Sequence, residues 1–138
     1  MIIDSRLEFS VAQAITADAA STNTIDLGSD RDIGVGRAMW VIIQVDVAAD
    51  ATTGDETYSI ILQTDDNSSF SSATNIATYT PTAAMLTAGS RHVIGMPLAN
   101  ERYLRLNYDV GGTTPTVTLS AWLTDQEPTK WTAYPDGI

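Results

Sequence analysis

The side chains able to do chemistry in this chain are few and scattered. There is one histidine, His92, beside Arg91 inside an alternating segment. Nucleophilic catalysis needs a histidine oriented by a carboxylate and aimed at a serine. Nothing in the spacing around His92 singles out such partners, so a surface or loop-packing histidine is the expectation. Asp65-Asp66-Asn67 offers clustered oxygens to a hard cation, but the glycine and distal glutamate of the EF-hand spacing do not follow. An Asx turn, whose side chains accept from backbone N–H groups two residues on, accounts for it better. Asp30-Arg31-Asp32 reads as a turn with local ion pairs. Gly34-Val35-Gly36 lacks the third glycine and the helix of a dinucleotide site and reads as a loop. Paired carboxylates can hydrolyse glycosides, yet among 17 acidic residues some pair always falls close. The chain has no cysteine, which excludes disulfides, thiolate zinc sites and cysteine nucleophiles. No catalytic, cofactor-binding or metal-ligating residue and no cofactor is therefore assigned, and the protein is not expected to be an enzyme.

The elements that carry these residues are strands. In Met39–Val47 the odd positions are Met, Val, Ile, Val and Val, while Trp40, Ile42, Gln44 and Asp46 alternate with them. A period of two over nine residues is a strand with one buried and one mostly polar face. Eight strands are predicted: Leu7–Phe9, Asn23–Leu27, Met39–Ala48, Thr57–Thr64, Asn75–Thr80, Arg91–Met96, Arg102–Asp109 and Thr116–Thr124. Turn signals separate them, including Thr53-Gly54-Asp55, Pro81 and Pro97. The last two strands read as a hairpin across Val110-Gly111-Gly112-Thr113-Thr114-Pro115, whose glycines supply positive φ. Helix evidence is confined to the Ala-rich Phe9–Ala20 and one short turn in Pro81–Ala88. The expected fold is all-β: a single-domain, jelly-roll-like antiparallel β-sandwich of about eight strands over residues 1–125, with an extended C-terminal tail over 126–138.

On that reading Trp40 and Trp122 lie opposite the core-facing residues of their strands and point outward. Large exposed aromatics anchor protein interfaces. Pro128 and Pro135 keep the tail extended, and Trp131 and Tyr134 give it anchors. Trp40, Trp122, Trp131 and Tyr134 are thus the candidate interface residues. Truncating Trp122 is expected to weaken assembly and leave the monomer folded.

Composition narrows the partners. Lys and Arg number 7 against 17 Asp and Glu, a formal net charge of −10. A nucleic-acid binder neutralises phosphates with a basic surface, and these cations do not supply one, so no direct nucleic-acid contact is expected. No segment approaches the roughly 20 apolar residues of a membrane helix, and no membrane association is expected. Met1–Arg6 has no basic region followed by an apolar run, so no secretory leader is expected.

Several segments, taken in order, look familiar. Val45 through Tyr58 (VDVAADATTGDETY), Leu62 through Ser72 (LQTDDNSSFSS), and Glu101 through Tyr108 running into Gly111-Gly112-Thr113-Thr114-Pro115-Thr116 resemble the Bbp16-like capsid cement proteins of tailed phages. The opening Met1-Ile2-Ile3-Asp4 and the Ala-rich stretch before Thr24-Ile25-Asp26-Leu27-Gly28 fit the same pattern. The resemblance implies a jelly-roll decoration protein bound outside an HK97-type shell. Its partners would be the major capsid protein and itself, as a homodimer at two-fold positions or else a trimer. It implies a virion component on the outer capsid surface, made in the bacterial host cytoplasm, with no catalytic residues to carry over. Two other readings stand beside it. One is a carbohydrate- or receptor-binding β-sandwich of a phage fibre or spike, with exposed tryptophans stacking on sugars. The other is a small β-sandwich hydrolase or cupin-like enzyme, which a single histidine disfavours.

Overall fold

The computed structural model describes residues 2–98, 101–126 and 128. Its strands are β1 (Glu8–Ile15), β2 (Ala19–Ala20), β3 (Ile25–Asp26), β4 (Trp40–Val47), β5 (Thr57–Asp65), β6 (Thr74–Tyr79), β7 (Arg91–Gly95), β8 (Tyr103–Gly111) and β9 (Val117–Thr124). They form two antiparallel sheets. The first has the order β1-β9-β4-β7 and the second β2-β8-β5-β6, with β3 pairing β8 further along. Counting β2 and β3 as one interrupted strand leaves eight positions, in the paired Greek-key order of a jelly roll. Ser5–Leu7 and Ala83–Met85 form single 3-10 turns.

The strands whose alternation is strict bury the expected faces. Val41, Ile43 and Val45 of β4, Tyr58, Ile60 and Leu62 of β5, Leu104, Leu106 and Tyr108 of β8, and Val117, Leu119, Ala121 and Leu123 of β9 join one core. Removing such apolar faces from water is the main favourable contribution to folding. Val47 departs from the pattern. A register shift between Val45 and Val47 turns its side chain outward, and it is exposed.

The expected hairpin of the last two strands does not form. β8 pairs β5, β2 and β3, whereas β9 pairs β1 and β4. Each strand has one fully apolar face, and the two faces pack against each other across the sandwich instead of joining edge to edge. The connection arches over the end of the barrel. There Gly112 adopts φ 92°, and a Cβ on it would lie 2.4 Å from the Asp55 carbonyl oxygen. Thr113 donates its N–H and hydroxyl to the Asp55 carboxylate at 3.1 and 2.9 Å.

The Ala-rich Phe9–Ala20 is not helical. It supplies β1 and β2, because Phe9 and Ile15 are needed in the core and the β1 backbone is needed beside β9. The strand bulges between Ser10 and Gln13, and Ala12 takes φ 45°. Its N–H, lost to the ladder, donates to the Ser120 hydroxyl at 2.8 Å.

Three tyrosine hydroxyls close the rim of the core. Ser10 donates to Gln13, so the Tyr108 hydroxyl donates to Ser10 Oγ at 2.7 Å, linking β8 of one sheet to β1 of the other. Burial pushes the Tyr108 hydroxyl up to about 12. Tyr58 donates to the carbonyls of Asp50 and Thr116 at 2.8 and 3.2 Å. Tyr79 on β6 meets His92 on β7 at 2.8 Å. Each side chain has an apolar body in the core and a polar tip that finds a partner.

The crowding at Gly112 gives a test. Gly112→Ala should lower the unfolding free energy by about 2–5 kcal/mol, combining a left-handed backbone with a backbone clash. Gly36→Ala, also at positive φ but with nothing within 4 Å of the added carbon, should cost only about 1–2 kcal/mol. Urea unfolding of the two variants measures the difference, and equal losses would contradict the packing described for the Gly111–Pro115 connection.

Candidate functional site

The outer face of the first sheet is the surface on which the tryptophans were expected to stand. Its polar residues form one chain of hydrogen bonds across all four strands. The Ala12 N–H of β1 donates to Ser120 on β9, and Ser120 donates to Asp46 Oδ2 on β4 at 2.6 Å. From the other side Arg91 of β7 donates to Gln44 Oε1 through Nε at 3.1 Å and Nη2 at 2.8 Å, and Gln44 donates to Asp46 Oδ1 at 3.1 Å. Donors from both edges therefore converge on one carboxylate. Hydrogen bonds to a charged group exceed neutral ones in strength, so this face is held rigid.

Trp122 does not stand free on that face. It is only 3 % exposed, with Ile42, 1 % exposed, directly opposite it on β4. The Arg91 guanidinium carbon lies 5.4 Å from the indole centroid, a cation–π contact. Burial lowers the Arg91 pKa. The expectation of an outward anchor at position 122 is thus corrected: the ring is covered within the monomer, by packing that the polar neighbours Thr118, Ser120 and Thr124 did not advertise. Trp40 is half-buried. Trp131 and Tyr134, with most of the 126–138 tail, lie outside the described residues.

The second sheet repeats the device. Arg105 of β8 donates from Nε to Gln63 Oε1 on β5 at 2.8 Å, and Gln63 donates to Asn75 Oδ1 on β6 at 2.8 Å. The Arg105 guanidinium covers the Phe70 ring at 4.3 Å. Both outer faces are thereby lined by polar side chains locked to one another.

The remaining candidates are occupied structurally. Asp65 builds the expected Asx turn, accepting the Asn67 N–H at 2.9 Å and the Ser72 N–H at 2.8 Å. The Asn67 N–H holds its carboxyl below the usual range, helped by Ser72. Glu101 is pushed the other way, first by burial and then by the negative charges of Asp65, Asp66 and Asp30. Arg31 donates to the Ser29 hydroxyl at 2.9 Å, where local ion pairs with Asp30 and Asp32 were expected. Among the described residues no three His, Cys, Asp or Glu side chains gather as a metal-binding group.

His92 is half-buried and, as one of the two expectations had it, packs against a loop, the one that follows the Ala83–Met85 turn. Its Nδ1 lies 2.8 Å from Tyr79 Oη and its Nε2 lies 3.2 Å from Ser90 Oγ. The spacing resembles a serine–histidine pair with tyrosine in the orienting position. The proton inventory runs the wrong way for catalysis. Ser90 donates its one hydroxyl proton to the Met85 carbonyl, so its oxygen is left to accept from the His92 ring. The ring N–H is therefore on Nε2, Nδ1 accepts from Tyr79, and no base faces the serine.

One feature had no counterpart in the sequence reading. A groove of about 430 Å³ opens at the end of the sandwich where β4 begins and β9 ends, lined in part by Ile2, Leu7, Val35, Met39, Arg37 and Gln126. Ile2 and Val35 are 80 % and 71 % exposed there. The available signal was apolar residues stranded in polar loops, Ile2-Ile3 before Asp4 and Val35 between two glycines.

Fold and surfaces together define an all-β jelly-roll protein whose outer faces carry cross-strand networks of polar side chains. The Bbp16 family model matches residues 9–123, from the first strand to the last, and the chain belongs to that phage-associated family. Membership points to a phage structural protein and a component of the virion. No curated protein matches the chain. Among the described residues no helix is long and apolar enough to cross a membrane.

The corrected position of Trp122 has a measurable consequence. Trp122→Ala should lower the stability of the isolated protein by about 3–5 kcal/mol, as for other buried tryptophans, read from urea unfolding. An unchanged monomer with weakened assembly would reinstate Trp122 as an exposed anchor.

Proposed function

We propose that this protein is a capsid cement protein. It binds the outside of an HK97-type shell and clamps neighbouring capsomers against the pressure of packaged DNA. The observation that carries this reading is the family match along the whole jelly roll, residues 9–123. Its partners are the major capsid protein and a second copy of itself. A homodimer is favoured over a trimer, and the working location is the outer capsid surface.

The physics of the molecule supports the role. A clamp needs a fixed shape and complementary area, because ordering a mobile surface on binding costs affinity. Side-chain networks hold both outer faces here, across all four strands of the first sheet and across β8, β5 and β6 of the second. Stable interfaces of standard size bury roughly 1,200–2,000 Å² in total, and permanent ones more. Repetition around a symmetric shell then multiplies a modest local free energy through effective concentration. The net charge of −10 keeps the protein off nucleic acid. The carbohydrate- or receptor-binding alternative drew on Trp40 and Trp122 as open stacking platforms. With Trp122 buried, that position offers none, and Trp40 is half-buried.

Heating purified particles in the presence of a DNA-binding dye tests the role. Particles lacking the protein should release DNA several degrees below complete ones, and adding the protein back should restore the difference. Release at the same temperature from both would contradict a clamping function.

A further inference from the structure

The two lateral edges of the sandwich are closed by different chemistry. At one edge Tyr108 and Ser10 join β8 to β1 through hydroxyls that do not titrate near neutrality. At the other, the pair joining β6 to β7 is Tyr79 and His92. Their rings lie 5.5 Å apart at 36°, and with the ring proton on Nε2 toward Ser90 the Tyr79 hydroxyl is the donor to Nδ1. His92 faces inward, since its register partner on β4 is the buried Ile43. Tyr79 is likewise placed opposite the core residue Ile60. This contact therefore spans the two sheets, not neighbouring strands of one.

The surroundings of the ring suit a neutral imidazole. From β6 the titratable group is Tyr79, whose own hydroxyl is raised by burial. From the Ala83–Met85 turn and the residues after it come the Met85 carbonyl and the Ser90 hydroxyl. From β4 comes the aliphatic Ile43. Arg91, next along β7, sends its guanidinium to the opposite face, toward Gln44 and Trp122. Among the described residues no carboxylate hydrogen-bonds the ring. A proton added to Nδ1 obliges Tyr79 to give up that acceptor, and it places a positive charge between the sheets without a counter-ion.

We infer that the Tyr79–His92 contact is a proton-sensitive latch, which holds the β6–β7 edge of the sandwich closed at neutral pH and releases it on acidification while the Tyr108–Ser10 edge stays shut. The sign follows from linkage. Burial lowers the His92 pKa from 6.5, so the open edge binds the proton more tightly than the closed one. The latch is at full strength above about pH 6.5 and weakens as pH falls below it. The inference concerns the free protein and goes beyond the cement reading.

Amide hydrogen exchange at pH 7.5 and pH 5.0, with each rate divided by its intrinsic value, tests it. Protection in β6 and β7 should fall by up to about 30-fold, the limit set by an open-state histidine of pKa near 6.5. Protection in β1 and β2 should not show that fall. His92→Gln should abolish the pH dependence. Tyr79→Phe, which removes only a hydroxyl, should lower protection of the edge already at pH 7.5. Nitrogen-15 spectra of the unaltered protein should show a neutral Nε2–H ring at pH 7.5 that titrates below 6.5. Unchanged protection at the β6–β7 edge, an equal fall at both edges, or titration at or above 6.5 would overturn the latch.

Discussion

The whole architecture depends on burying the apolar faces of two sheets against each other without stranding polar atoms at their rim. Val41, Ile43 and Val45 from one sheet and Ile60, Leu62, Leu104 and Leu106 from the other exclude water from the middle. The rim is harder, because every strand end and bulge there leaves backbone groups that must find partners. Tyrosine answers this at Tyr58, Tyr79 and Tyr108. Each adds area to the core and carries one hydroxyl out to the place where a bond is missing. The Ser120 hydroxyl does the same for the bulge at Ala12. The outer faces then inherit their stiffness from the sheets beneath them, and the cross-strand chains ending on Asp46 and Asn75 fix the side chains as well.

How much of this was legible depended on how local the determining interaction was. β4, β5, β8 and β9 alternate, and apart from Val47, which the register shift turns outward, their core faces could be read directly. β1 could not be read past Phe9, because the bulge at Ala12 breaks the period and leaves Ala-rich sequence that looks equally compatible with a helix. β2 is two alanines whose only reason to be extended is β8 beside them. The β8–β9 connection shows the limit most clearly. Gly111-Gly112 announced a reversal, but two apolar faces can meet edge to edge or face to face, and only the competition from β5 and β4 decides.

The candidate site was less legible than the fold for the same reason. Trp122 has polar neighbours along its own strand, which predicted an exposed ring. Its cover comes from Ile42, its register partner on β4, and from Arg91, which reaches over from β7; both are distant in sequence. His92 carried no local signal of its inter-sheet position, since Tyr79 is 13 residues away on the opposite sheet. The Asp65 turn, by contrast, is made within eight residues and was read correctly. The chemistry-bearing side chains at Asp46, Asp65, Arg91 and His92 serve local geometry.

Reconstitution tests the central claim most directly: purified protein is mixed with empty expanded shells that lack it, and the shells are sedimented and their bound copies counted by quantitative mass spectrometry. The cement reading predicts saturation at a fixed whole-number ratio to the shell protein, reached without any cofactor. Shells that sediment free of the protein at concentrations well above those in an infected cell would contradict it.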